Sequence, residues 1–192
     1  MNVKNKYDLY CWASDFSTKR GEGILARHYI QNLSKIRKKK IYVKSLYGSY
    51  YINKGSINKI KLNRKQKIKL NPNLFENYFS PLVGIIFLWI NYLKGRGICY
   101  LNFLPLWNIV LFIFLPPKTH LGPITGFIYK KKIIGLNTFF RKYLNNFLFK
   151  FSLKILFLRQ NKTFFSTDLL QPLVKKKNKV FFNYLVNLIE IK

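Results

Sequence analysis

The first part of the chain alternates between apolar runs of two different periods. Residues 7–14 are mostly apolar, with a short apolar run that ends in a small polar residue, and this is typical of a buried strand. From Ile24 to Ile36 the apolar residues recur at helical spacing, and residues 41–47 return to a strand-like pattern. This order predicts a βαβ unit, in which a helix connects two parallel strands.

The same alternation continues to the end of the chain. The expected helices are 75–93, 106–115, 137–159 and a short one at 169–174, and the expected later strands are 98–103, 162–168 and 179–186. Residues 48–73 are polar with alternating lysines, which favours an exposed edge strand or hairpin, and residues 120–126 read as a compact loop. We therefore expect an α/β fold with a Rossmann-like, mostly parallel sheet and helices on both faces.

The segment 137–159 is the clearest amphipathic helix of the sequence. Its aromatic and aliphatic residues line one side, and they are Phe140, Tyr143, Leu144, Phe147 and Phe151. Basic aromatic helices of this kind also lie on anionic membrane surfaces. Packing of this side against a sheet is the commoner use, and we expect it here.

The long apolar stretch 77–117 raises the question of membrane spans. Its first half is shorter than the roughly 20 residues that a span needs and contains Pro81. Its second half is interrupted by Asn102, Pro105 and Asn108, which a lipid-facing helix tolerates poorly. We therefore favour a helix, a strand and a second helix, and an integral membrane protein built on residues 79–117 is the alternative.

Charge is the extreme feature of the composition. The 35 Lys and Arg residues outnumber 6 Asp and Glu, giving a net charge of +29, which favours anionic partners such as nucleic acid or a membrane surface. The abundance of Lys, Asn, Ile, Phe and Tyr also fits an AT-rich genome, which explains the lysines without a function.

The start of the chain lacks the pattern of an export signal, and Cys11 and Cys99 lie in apolar runs, so we expect a cytoplasmic protein with buried free thiols.

A glycine-bearing loop after the first strand is the main candidate for chemistry. Gly21 and Gly23 allow the backbone to approach a ligand, Arg20 adds positive charge, and the helix that follows directs N–H groups at an anion. A phosphate or diphosphate is the natural ligand, although a plain tight turn explains the glycines equally well. The sequence lacks the motifs of metal sites, of P-loops and of GxSxG nucleophiles.

Several segments in order resemble the N-terminal domain of a GT-B glycosyltransferase of the family 1/4 type. The stretch WASDFS (12–17), followed by GEG (21–23) and ILARHYIQNL (24–33), is similar to the opening of that domain. Further on, the similar segments are CYLNFLPLWN (99–108), LPPKTHLGPITG (115–126) and FFSTDLLQPL (164–173). Together they cover most of residues 7–186.

The resemblance implies a domain organisation and a set of site residues. Residues 1–186 would form the acceptor-side domain, and 187–192 would begin the linker to a donor domain. The residues implied near the donor diphosphate or the acceptor are Arg20, Gly21, Glu22 and Gly23, and those implied as sugar or acceptor contacts at the cleft are His120, Gly122 and Thr125. The resemblance implies no metal and no bound cofactor, since the nucleotide sugar is a substrate, and it identifies no catalytic residue.

The chain departs from this family in lacking the donor half. The expected pair of glutamates seven residues apart is missing, because Glu190 is the only carboxylate after Asp168. We therefore expect a truncated half of an enzyme, a separate subunit completed by a partner, or a remnant with no activity of its own. Its expected activity is sugar transfer to a cell-surface polysaccharide or lipid-linked acceptor at the inner face of the plasma membrane. The alternative is a basic peripheral-membrane or nucleic-acid-binding protein without catalysis.

Overall fold

The computed structural model of the chain describes residues 7–17, 21–60, 75–126, 136–160, 162–166, 168–174 and 179–181. The chain divides into two compact units, of which unit 1 is Met1–Asn102 and unit 2 is Phe103–Lys192. The elements of unit 1 are β1 (Leu9–Trp12), α1 (Gly21–Ile36), β2 (Ile41–Ser45), β3 (Gly48–Asn53), β4 (Ser56–Ile60), α2 (Phe75–Leu93) and β5 (Ile98–Tyr100).

The strands of unit 1 lie in the order β4-β3-β2-β1-β5. Strand β1 is at the centre of three parallel strands, with Tyr10 opposite Tyr42 of β2 and opposite Ile98 of β5. Strand β3 continues the sheet beyond β2 and runs antiparallel to it, and β4 runs antiparallel to β3. The predicted βαβ unit is therefore confirmed, and the predicted mostly parallel α/β sheet is present with an antiparallel hairpin at its edge.

The two helices of unit 1 cover opposite faces of this sheet. Successive strand residues point to opposite faces, and Cys11 and Ile41 form a buried cluster with Ile30 of α1. On the other face Trp12 is fully buried and lies against Phe87 of α2, with the ring centroids 6.3 Å apart. The prediction of helices on both faces is thus correct for this unit.

The β3–β4 hairpin accounts for the first part of the polar, lysine-rich segment. Its two turn residues, Lys54 and Gly55, have φ angles of 49° and 80°, as a type I′ turn requires. The turn rests on α1, because Gln31 Nε2 donates to the Gly55 carbonyl oxygen at 3.1 Å. The hairpin prediction is confirmed as far as Ile60, and its part in 61–73 lies outside the described residues.

The described part of unit 2 contains short strands, two α-helices and a 3₁₀ helix. Its elements are β6 (Leu104–Pro105), α3 (Ile109–Phe114), β7 (His120–Leu121), β8 (Ile124–Thr125), α4 (Leu136–Arg159), β9 (Lys162–Phe164), a 3₁₀ helix (Asp168–Leu173) and β10 (Lys179–Phe181). Strands β6 and β8 pair in parallel, as do β9 and β10. Parallel pairing therefore predominates among the described strands of the chain.

Two expectations for unit 2 are wrong in detail. Residues 120–126 are not a loop throughout, because β7 and β8 lie within them, separated by Gly122 and Pro123. The aromatic side of α4 does not face the core. Among the α4 side chains that the structure describes, Phe149, Ser152, Leu153 and Leu156 are buried, while Tyr143, Leu144, Phe147 and Phe151 are exposed. The side chain of Phe140 lies outside the described part. Apolar residues occur on both sides of this helix, and the sequence alone does not decide which side is covered.

Candidate functional site at the carboxyl ends of β1 and β5

The strand order of unit 1 creates a position at which ligands commonly bind. From β1 the chain passes through α1 to β2 on one side, and it later returns with β5 on the other side of β1. At such a switch point the connections leave neighbouring strands in opposite directions and open a crevice beyond their carboxyl ends. Ser14 follows β1 and Asn102 follows β5, so both lie at this edge.

Ser14 and Asn102 form a reciprocal pair of hydrogen bonds across the switch point. The Ser14 backbone N–H donates to Asn102 Oδ1 at 2.9 Å, and Asn102 Nδ2 donates to Ser14 Oγ at 2.6 Å. Both residues are half-buried. The pair therefore holds two polar side chains in a defined geometry while leaving them partly open to solvent. The sequence-based prediction assigned neither Ser14 nor Asn102 to the site, and the available signal was a polar residue at the end of each apolar, strand-like run.

The loop that carries Ser14 is held in place on both sides. Phe16 is buried, with its ring centroid 5.0 Å from that of Tyr50. The guanidinium of Arg27 in α1 donates to the Phe16 carbonyl oxygen at 2.6 Å. Before Ser14, the Ala13 N–H donates to the Lys44 carbonyl oxygen at 3.0 Å. The position of Ser14 is thus set by contacts to a strand and to a helix.

The glycine pair does not form the predicted loop. Helix α1 begins at Gly21, so Gly21–Gly23 is its first turn rather than the connection before it. The first four N–H groups of a helix have no partner within the helix, so the N-terminal turn of a helix is a general type of anion site. Gly21 is exposed, with open space where a Cβ would lie, and Gly23 is buried. Arg20 and the side chain of Glu22 lie outside the described residues.

The remaining predicted site residues belong to unit 2. The imidazole ring of His120 is half-buried, with its centroid 5.1 Å from that of Phe164. Gly122 is buried. Thr125 is half-buried in β8, and its carbonyl oxygen accepts a hydrogen bond from the Leu106 N–H at 2.8 Å. The seven predicted residues therefore divide between the two units.

The two thiols lie beneath the switch point, on the strands themselves. Cys11 and Cys99 are register neighbours on β1 and β5, and both are fully buried and free. Burial, together with the hydrogen bond to Cys99, raises the pKa of the Cys11 thiol well above its ordinary value. Because the thiolate is the reactive form, Cys11 is a packing residue rather than a nucleophile.

The described ranges of the chain contain neither a cluster of metal-ligand side chains nor a helix suited to span a membrane. Among the described residues, no three His, Cys, Asp or Glu side chains lie together as a metal-ligand group. Within these ranges, too, none of the helices combines the length and apolar character needed to cross a bilayer. The apolar sequence of α2 is interrupted by Pro81 and by the polar residue Asn91. The Asn91 side chain is satisfied within the helix, because its Nδ2 donates to the Phe87 carbonyl oxygen at 2.8 Å.

Comparison of the chain with protein families, with curated proteins and with solved structures gave no match. The class of the protein therefore rests on its geometry. Unit 1 is a mixed α/β unit with parallel central strands, helices on both faces and a polar pair at the switch point.

Proposed function

We propose that this chain forms the acceptor side of a GT-B-type glycosyltransferase. A donor-binding domain, in the same polypeptide or in a separate one, would supply the nucleotide sugar. The observation that supports this proposal is the Ser14–Asn102 pair, because it places two oriented polar side chains where open α/β sheets bind ligands. The order of family-like segments along the sequence supports it independently.

In the proposed reaction, an acceptor hydroxyl oxygen forms a bond to the anomeric carbon of the donor sugar. The bond from that carbon to the diphosphate breaks, and the diphosphate leaves with the electron pair. The acceptor proton passes to a base, which we do not assign. The Ser14 hydroxyl and the Asn102 amide would orient the acceptor, and the N–H groups of the first turn of α1, at Gly21–Gly23, would stabilise negative charge without a metal.

The proposal extends to unit 2 and to the location of the protein. His120, Gly122 and Thr125 would contact the sugar or the acceptor, as the resemblance implies. The acceptor would be a cell-surface polysaccharide or a lipid-linked glycan. The protein would therefore work in the cytoplasm at the inner face of the plasma membrane, where such acceptors are assembled.

The test is sugar transfer by the full chain together with candidate donor domains. A panel of labelled nucleotide sugars and glycan acceptors would be screened with the pair and with each partner alone. We expect transfer only with the pair. We expect Ser14→Ala and Asn102→Ala to lower kcat/KM by about tenfold to a hundredfold, as loss of positioning hydrogen bonds does.

Matched variants distinguish positioning from general damage to the fold. Ser49→Ala removes a buried hydroxyl that accepts from the Tyr42 hydroxyl at 2.8 Å, away from the switch point. Asn91→Ala removes an amide within α2. Both controls should retain transfer. Absence of transfer with every donor domain, or equal losses in the controls and the Ser14 and Asn102 variants, would overturn the proposal.

A second candidate function is anion binding without catalysis. The net charge of +29 supports it, because such a surface attracts nucleic acid and anionic lipids whatever else the protein does. Weak, salt-sensitive binding to RNA follows from charge alone and favours neither function. Sequence-selective RNA binding that persists at high salt, in a chain without transfer activity, would establish this second function.

A further inference from the structure

The exposed side of α4 combines large apolar residues with lysines. We define the α4 outer face as this exposed side, and it contains Tyr143, Leu144, Phe147, Lys150, Phe151, Lys154 and Leu158. Phe147 is 64% exposed and Leu158 is 78% exposed, although both side chains are among the most apolar. The rings of Phe147 and Phe151 stack at 6.2 Å, which makes a continuous aromatic surface.

The opposite side of α4 already provides the core contacts of this helix. Phe149, Leu153 and Leu156 are almost completely buried. At 100° per residue these three side chains lie on the far side of the helix from Phe147 and Phe151. The buried contacts of α4 with the described part of the chain therefore come from this opposite side, and large apolar side chains of the α4 outer face remain exposed.

The charges on this face, and in the long segment of sequence that contains it, have a single sign. The sequence contains no Asp or Glu from Asn77 to Thr167, a stretch that includes all of α3 and α4. Lys150 and Lys154 are exposed on the α4 outer face itself. Helix α3, which packs on α4, carries the exposed Val110, Ile113 and Phe114, and Trp107 before the helix is exposed as well. The partner must therefore accept apolar side chains and be negatively charged.

We propose that the α4 outer face binds to the surface of an anionic lipid bilayer. The helix would lie in the plane of the interface, with Phe147, Phe151 and Leu158 entering the boundary of the acyl chains. Lys150 and Lys154 would extend to the lipid phosphates, as long basic side chains do at interfaces. Tyr143 would lie at headgroup level, where amphipathic rings are favoured.

A bilayer fits this face better than a second copy of the chain or a nucleic acid. Two copies would each carry a net charge of +29, and their lysines would face one another across the interface. Nucleic acid binds by stacking on aromatic rings, which does not account for Leu144 and Leu158 on the same face. An anionic bilayer accepts both the aliphatic residues and the lysines.

This inference rests on the proposed function only for the location at a membrane face. Lipid binding needs no donor domain and no sugar transfer, so it is measured separately. If the unchanged chain catalyses transfer but does not bind anionic lipid, this inference alone is overturned. If it binds anionic lipid but no transfer occurs, the proposed function alone is overturned.

The experiment measures co-sedimentation of the full chain with two kinds of vesicle. One is phosphatidylcholine with added phosphatidylglycerol, and the other is phosphatidylcholine alone. We expect Phe147→Gln with Phe151→Gln to weaken binding to the anionic vesicles on the order of tenfold or more. We expect Lys150→Gln with Lys154→Gln to weaken it by a similar factor, and to have little effect on neutral vesicles.

Control pairs match these changes away from α4. Ile36→Gln with Tyr47→Gln replaces two apolar residues of unit 1 that are 76% and 50% exposed. Lys39→Gln with Lys59→Gln removes the same charge from exposed positions of unit 1. These controls should bind the anionic vesicles as the unchanged chain does. Equal binding by the α4 variants and the controls would overturn the proposal.

A second measurement does not depend on loss of binding. In Phe147→Cys, an environment-sensitive fluorophore can be attached selectively, because Cys11 and Cys99 are fully buried. Its emission should shift to the blue with anionic vesicles, and the same label at Ile36→Cys should not shift. A shift produced by RNA and not by vesicles, or one that depends on protein concentration and not on lipid, would assign the face to RNA or to a second copy and overturn the proposal.

Discussion

The indole ring of Trp12 lies directly against the backbone of Gly84. Trp12 ends β1 and is fully buried, and a Cβ placed on Gly84 would be 2.5 Å from both Cδ1 and Nε1 of the ring. Only a residue without a side chain allows α2 to approach the sheet this closely. The contact therefore sets the position of α2 on the face of β1.

We expect Gly84→Ala to destabilise the protein by about 1–3 kcal/mol, because neither the buried ring nor the helix backbone can move aside freely. Urea unfolding measures the change. Gly21→Ala is the control, since nothing lies within 4 Å of its Cβ position and alanine favours a helical turn. The expectation fails if both variants unfold at the same urea concentration.

The Ser14–Asn102 pair should contribute to stability as well as to the site. We expect Ser14→Ala and Asn102→Ala each to cost about 1–2 kcal/mol, because each leaves a half-buried partner without its hydrogen bond. The double variant should cost less than the sum of the two, since both changes remove the same interaction. Additive losses in urea unfolding would show that the two side chains act independently.

The buried Cys11 thiol predicts a loss of stability in alkali. Its pKa is raised in the folded protein, so the unfolded chain releases the thiol proton first as the pH rises past about 9. The contribution of the protonated Cys11 thiol to the free energy of unfolding is complete below that pH, and it is lost as the pH rises towards the folded-state pKa. Urea midpoints between pH 7 and about pH 10.5 measure the fall, and Cys11→Ala should reduce it. If the urea midpoint of Cys11→Ala falls as steeply with pH as that of the unchanged protein, other groups cause the fall.

The β3–β4 turn predicts a backbone effect at Gly55. Its φ of 80° lies in the left-handed region, and its Cβ position overlaps the side chain of Lys35. We expect Gly55→Ala to cost about 1–2 kcal/mol, mainly from the backbone angle, because the lysine chain is flexible. Gly55→Asn should cost less, since asparagine tolerates this conformation. If Lys35→Ala restores the stability of Gly55→Ala, the overlap rather than the angle is responsible.

The local pattern of the sequence was enough to predict most helices and strands. The helix predicted at 75–93 has those bounds in the structure, and that predicted at 137–159 begins one residue earlier. The period of apolar residues determines these elements because each must bury one side. The start of α1 was less clear, since a glycine pair before an apolar run is compatible with a loop or a first helical turn.

Three features depended on tertiary structure, because each arises from contacts between distant parts of the chain. Ser14 and Asn102 are 88 residues apart, and they meet only because β5 pairs with β1 rather than with another strand. The requirement for glycine at position 84 follows from the packing of α2 on Trp12. The covered side of α4 was decided by its neighbours, because both of its sides are apolar.

The sequence by itself determined the elements and the α/β class, since local periodicity records burial. Strand order and helix packing determined the site and the exposed face, because they depend on contacts between distant parts of the chain.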